Sequence, residues 1–202
     1  MSGGTRRRRT GNLLPSLTDI PRGTLFSLKL FYPQGAEYLS SMTEVQHPPE
    51  YRKSEHGGEL WSAIEISAAP EKVWEILTAF AAYPDWNPFI RNIRGDLAEG
   101  GRITADIRPS GSAAMTIRPV LLTVNPPREL RWRGHLLVRG LFDGEHVFEI
   151  RPLEGHRSLF IQHEYFSGIL LPLLEAMLKR DTARGFFEMN EALKERAERG
   201  SG

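Results

Sequence analysis

The chain contains no cysteine. That excludes disulfide staples, thiolate nucleophiles and cysteine-based zinc sites, and it accords with a reducing, cytoplasmic setting. Long apolar runs are missing too. The best candidate, GILLPLLEAML at 168–178, is broken by Pro172 and Glu175 and falls short of the roughly 18 apolar residues that mark a membrane span. No transmembrane segment is expected. Charge of one sign is also lacking: 26 Lys and Arg against 25 Asp and Glu leave a formal net charge of +1 over 202 residues. Nothing global points to a nucleic-acid partner or an acidic substrate. The six histidines show no HExxH or other helix-borne ligand spacing, so neither a metal nor a cofactor is expected.

What is present divides at about residue 58. Residues 1–57 open MSGGTRRRRTGNLLPSL, are punctuated by Pro15, Pro21, Pro33, Pro48 and Pro49, and sustain no period of 2 or 3.6. They read as a disordered or loosely packed extension, with SLKLFY at 27–32 as a short strand. The Arg6–Arg9 run reads first as a solvated tail and second as part of an organellar transit segment, since no acid precedes Asp19. Met42 is an alternative start that would cost the folded pattern nothing.

From Glu59 to Arg199 the pattern is regular. ELWSAIEIS alternates as a strand does. Pro70 then stands at a first helical position with Glu71 in the first turn, and Val73, Trp74, Leu77 and Phe80 recur at helical spacing. Pro84 requires that helix to stop by Tyr83. The stretch FAAYPDWNPFI at 80–90 follows, with room for a second short helix or turn. It is too aromatic for a surface linker. Next come strands at roughly 91–97, 102–108, 113–124, 128–138, 143–152 and 157–167, divided by AEGG, RPSGS, NPPR, RGLFDG and LEG, which are turn-forming sequences. A helix over 168–198 closes the pattern. Its apolar stripe reads as Ile169, Leu173, Ala176, Arg180, Ala183, Phe187 and Asn190, widened by Leu170, Met177, Phe186 and Leu193. Gly185 inside it marks either a close approach or a bend.

The order strand, two short helices, about six strands and one long helix predicts an α+β fold. A sheet of about seven strands spaced roughly 4.8 Å apart is wider than one helix roughly 10 Å across. The sheet must therefore curl around the helix to cover its apolar face. Such a grip tends to leave a hollow, and the aromatics of FAAYPDWNPFI are placed to plug one end of it.

Several motifs carry a family resemblance: AAPEKVWEILTAFAAYPDWNPFI, then RELRWRG, GEHVFEI, SLFIQHEYFSGILLPLL and finally FFEMNEALK. In this order, over about residues 59–198, they resemble the SRPBCC superfamily, also called START-like or Bet v 1-like, in its polyketide cyclase/dehydrase-like branch. The resemblance implies a helix-grip domain over 58–199, with a seven-stranded sheet around the terminal helix and a hydrophobic ligand cavity between them. It implies no particular reaction, because such folds host carriers and enzymes alike.

Strand parity puts His146, Phe148 and Ile150 on one face. The family pattern turns Phe160, Gln162, Glu164 and Phe166 inward and His163 outward. A three-residue loop at LEG, with Gly155 left-handed, would pair His146 with Gln162 and set Glu164 one step along. Trp86, Phe89, Trp132, Met177 and Arg180 complete the expected lining. Three roles are open to His146, Gln162, Glu164 and Arg180: a satisfied structural network, a polar grip on an otherwise apolar ligand, or acid–base catalysis of a cyclisation or dehydration by His146 and Glu164. The corresponding functions are a soluble binding protein for a small hydrophobic molecule, a cyclase or dehydratase, and an interaction protein with a vestigial cavity. Ser110-Gly111-Ser112 reads as a turn rather than a nucleophile elbow. The arginines at 91, 94, 102, 108, 118, 128, 131 and 133 read as a solvated outer face rather than a nucleic-acid surface.

Overall fold

A computed structural model describes residues 45–55 and 57–199. The Arg6–Arg9 run and the strand expected at 27–32 lie outside the described residues. Among the described residues, nine strands form two antiparallel sheets. The larger has six: β1 (Gln46–Ser54), β2 (Gly57–Ile66), β6 (Val120–Asn125), β7 (Glu129–His135), β8 (Asp143–Leu153) and β9 (Arg157–Ser167), in the order β1-β2-β9-β8-β7-β6. The smaller has β3 (Ile90–Arg94), β4 (Thr104–Ile107) and β5 (Met115–Ile117). Between β2 and β3 run α1 (Pro70–Thr78), a 3-10 turn (Phe80–Ala82) and α2 (Tyr83–Trp86). After β9 come α3 (Leu171–Met177), a π-helical turn (Leu178–Thr182) and α4 (Ala183–Glu198).

Two features depart from the single seven-stranded sheet. The stretch 113–124 is divided at Arg118-Pro119, so β5 joins the small sheet and β6 the large one. A lone bridge between Arg102 and Val120 spans the gap. The folded part also begins before 58. β1 adds to the edge of the large sheet through pairs such as His47 with Ala63 and Glu50 with Trp61, and its register slips between His47 and Glu50. Pro48 and Pro49 sit at that slip. An edge strand with a bulge is where prolines are tolerated, because no ladder bond is demanded of them.

The elbow at 80–90 is core. Phe80, Tyr83, Phe89 and Ile90 are buried, and Trp86 packs against them. The Tyr83 hydroxyl donates to the Leu77 carbonyl at 2.7 Å, and burial pushes its phenol pKa well up. Asn87 holds the exit: its Oδ1 accepts from the backbone N–H of Phe89 (3.0 Å) and Ile90 (2.8 Å). That local turn aims Phe89 at α4.

The terminal helix presents a different face from the expected stripe. Leu171, Leu178, Thr182, Gly185, Phe186, Met189, Leu193 and Ala197 are buried, whereas Ile169, Leu173 and Phe187 are exposed. The offset is already present before the π-turn, where Leu171 rather than Ile169 or Leu173 is buried, and it continues beyond it through Gly185, Phe186 and Met189. Gly185 resolves as a close approach: a β-carbon there would overlap the Phe89 ring.

This sets opposing terms for Gly185→Ala. In an ordinary helix interior the change stabilises by about 0.5–1 kcal/mol. Here it forces Phe89 aside, and overpacking costs about 1–3 kcal/mol. Chemical denaturation should show a net loss of about 1–2 kcal/mol, and the loss should shrink in a Phe89→Leu background. A more stable Gly185→Ala variant would contradict the packing described.

Candidate functional site

The inner faces of β8, β9 and β2 meet α4. The β8–β9 loop is Glu154-Gly155-His156, closed by the pair Leu153 and Arg157. Gly155 and His156 both take positive φ, 73° and 56°. The loop lies one residue later than the LEG reading, which moves the register by two and preserves the face. His146 thus stands directly opposite Glu164, and Phe148 opposite Gln162.

His146 is 3% exposed. Its Nδ1 lies 3.3 Å from Glu164 Oε2, and its Nε2 lies 3.2 Å from the Gln162 amide nitrogen. One tautomer satisfies both contacts: Nδ1–H donates to the carboxylate and Nε2 accepts from Gln162. The imidazole is walled by the rings of Trp132 (5.2 Å), Phe148 (4.3 Å) and Phe186 (5.1 Å, centroid to centroid). Gln162 is fully buried and also donates to Met189 Sδ at 3.5 Å. Glu164 is partly open to solvent. Gly144, next to it, leaves its carboxylate room, since a β-carbon there would come within 2.9 Å of Oε1.

Two buried acceptors on this inner side have no partner among the described residues: Gln162 Oε1 and Asn190 Oδ1. Turning the glutamine amide over only exchanges which of its ends is unpaired. Asn190, from α4, donates to Ser62 Oγ at 3.0 Å, and Ser62 is the register partner of Gln162. The two open acceptors therefore flank one patch of the sheet–helix interface. Ser62, Met189 and Asn190 were absent from the expected lining; a small polar residue inside the ELWSAIEIS alternation was the available signal for Ser62.

Most of the expected lining is inside. Trp132, Phe148, Phe166 and Phe89 are buried, Phe166 stacks on Phe142 at 5.7 Å, and Trp86 and Met177 pack against the core from partly buried positions. Arg180 is elsewhere. Its side chain is 75% exposed and pairs with its neighbour Asp181 (Nε to Oδ1, 2.7 Å). It lies within the π-turn, whose buried residues are Leu178, Asp181 and Thr182. His163, expected outward, is half-buried beside Glu59 at 3.1 Å.

The two concavities that stand out among the described residues are not between sheet and helix. One, of about 460 Å³, is lined by residues including Pro88, Arg91, Arg108 and Ser110. The other, of about 220 Å³, lies beside β6 and β7 among Arg102, Arg118, Arg133 and Arg139. The interior itself is filled by the contacting side chains of Phe148, Phe160, Phe186, Met189 and Leu193.

The geometry is that of a sheet gripping a terminal helix, and comparison with known proteins agrees. The family model described as polyketide cyclase / dehydrase and lipid transport matches residues 59–198. The chain belongs to this family. Similar solved structures include a START superfamily protein from Mycobacterium smegmatis, with 21% identity and a TM-score of 0.57 over 70% of this chain and 97% of that one. The Zhui aromatase/cyclase from Streptomyces sp. R1128 is 17% identical, with a TM-score of 0.54 over 74% of this chain and 95% of that one. The di-domain ARO/CYC StfQ from the steffimycin biosynthetic pathway is 14% identical, with a TM-score of 0.58 over 70% of this chain and 51% of that one. At these identities the likeness concerns the fold. None of the curated proteins matches.

The turn at 110–112 ties the small sheet to the terminal helix. Ser110 Oγ donates to Glu188 Oε2 at 2.6 Å, and Ser112 Oγ donates to Asp181. The Arg180 guanidinium and then the Ser112 hydroxyl hold the Asp181 carboxyl at about 2, below its ordinary 3.8. A depressed folded-state pKa contributes stability that is complete above the unfolded value and is lost as pH falls through the folded one. Asp181→Asn should therefore melt below wild type at neutral pH, and the gap should close between those two values. A gap that persists at about pH 2 would show that the carboxylate charge is not what the turn reads.

Proposed function

We propose that this domain binds a small, largely hydrophobic molecule between the sheet and the carboxyl-terminal helix, and grips its polar end at Gln162, Asn190 and the His146–Glu164 pair. The observation that carries the reading is the pair of unpartnered acceptors, Gln162 Oε1 and Asn190 Oδ1, buried on the inner face. A buried acceptor left unpaired costs about 1–3 kcal/mol, and native interiors rarely carry one without a use. Two together suit the hydroxyl or amide donor of an apolar guest.

Room for that guest has to come from movement. α4 is fixed by Phe186, Met189, Leu193 and Ala197. α3 buries only Leu171 of its seven residues, and an element with so little buried surface opens at the smallest cost. In this account α3 is the cover, with Met177 and the π-turn at its hinge.

The His146–Glu164 contact also supports a second reading, acid–base catalysis. A general base needs a lone pair free for the substrate. In the tautomer that satisfies both neighbours, the one on His146 Nε2 is taken by Gln162, which supports holding over proton transfer.

Titration with a long-chain alcohol and with the corresponding alkane tests the proposal. Gln162→Leu should weaken the alcohol about tenfold, the worth of one buried hydrogen bond, and leave the alkane unchanged. His146→Gln and Glu164→Gln should change affinity only modestly. Failure of the folded wild type to bind either ligand would contradict the reading. Equal loss of both ligands in Gln162→Leu would do so as well.

A further inference from the structure

The β7–β8 connection and the start of the terminal helix form one exposed lip. Leu137 is 80% exposed, Val138 62%, Ile169 78% and Leu173 78%. These residues are held together by backbone bonds: Leu136 N–H to Phe142 O (2.8 Å), Ile169 N–H to Gly140 O (3.1 Å) and Leu170 N–H to Leu141 O (3.0 Å). Leu173 lies in the first turn of α3, four residues after Ile169. Leu137 takes φ 63°, a left-handed conformation that suits glycine or asparagine far better than leucine. An unfavourable residue at an exposed tip contributes nothing to the core, so its side chain points to a use outside the fold.

The lip adjoins the 220 Å³ concavity lined by Arg102, Arg118, Arg133, His135, Arg139 and Asp143. Arg139 follows Val138 directly. Arg133 is engaged by Glu145, and Asp143 accepts from the Gly140 N–H. Arg102, Arg118 and Arg139 are exposed and have no ion-pair partner among the described residues. Several outer arginines are matched, Arg94 with Asp106, Arg131 with Glu129 and Glu145, and Arg151 with Glu149, while Arg91, Arg108 and Arg128 are exposed without an ion pair among the described residues. Three unmatched cations, Arg102, Arg118 and Arg139, thus share this concavity beside the exposed aliphatic side chains.

We propose that this end of the domain docks on an anionic lipid bilayer. Leu137, Val138, Ile169 and Leu173 enter the boundary between headgroups and acyl chains, while Arg102, Arg118 and Arg139 meet lipid phosphates. Reversible attachment of this kind takes both an apolar and an electrostatic contribution, and the two are contiguous here. A second copy of the chain is the poorer occupant, because a symmetric contact would set the same unmatched arginines against each other. The proposal does not depend on a guest inside the grip.

The test is co-sedimentation of the full chain with vesicles of phosphatidylcholine alone and of equal parts phosphatidylcholine and phosphatidylglycerol. Wild type should pellet with the anionic vesicles, less so as salt rises, and stay in solution with phosphatidylcholine. Leu137→Asn suits the left-handed backbone and keeps the melting temperature. It should weaken vesicle binding about tenfold, the worth of one inserted leucine. The triple variant Arg102→Gln, Arg118→Gln, Arg139→Gln should lose about fivefold per arginine together with most of the salt dependence. The Arg6–Arg9 run is present in every variant, so binding that survives these changes belongs to that run and overturns the proposal. Absence of wild-type binding overturns it, as does self-association through the lip in place of lipid binding.

Discussion

The position of everything inside the grip depends on one close approach, the Phe89 ring lying over Gly185. The Asn87 turn points that ring inward, and the missing side chain at 185 lets it reach the helix. With the helix seated there, Phe186 comes to 5.9 Å from Phe89 and 5.1 Å from His146, and Met189 and Asn190 come over Gln162 and Ser62. The elbow at 80–90 is therefore less a plug at the end of a hollow than the clamp that sets the height of the helix above the sheet. Tight packing of this kind transmits a small displacement to every neighbour.

The polar cluster beneath the helix is the other constraint. A histidine, a glutamine and an asparagine buried among aromatics cost free energy unless each polar atom is paired. Most are, and the two exceptions face the same patch. A core selected for stability alone would have apolar residues there. The concentration of unpaired acceptors between sheet and helix gives the binding reading its physical content.

Much of this was legible in the sequence. Strand parity in GEHVFEI, with the family pattern for SLFIQHEYF, placed His146, Phe148, Gln162, Glu164 and Phe166 on one inner face, because a two-residue period survives an error in loop position. The register itself did not survive: LEG and EGH are both reasonable three-residue turns, and the choice shifts pairing by two. β1 was hidden by Pro48 and Pro49, which argue against a strand unless it lies at an edge. Arg180, Ile169 and Leu173 were set on the wrong side of the helix because a second stripe of the same period, through Leu171, Leu178, Phe186, Met189 and Leu193, competes with theirs and is the one that is buried. The interior filled by Phe148, Phe160 and Phe186 was also out of reach, since element widths do not say how far large side chains occupy the space between layers.

Native mass spectrometry of the protein purified from its own source tests the central claim most directly. The account predicts a population carrying a small non-covalent adduct whose extract contains an apolar molecule with at least one hydrogen-bond donor, and which rebinds the stripped protein in equal proportion. A folded protein that always flies at its bare mass, and takes up no such molecule from a crude lipid extract of that source, would contradict it.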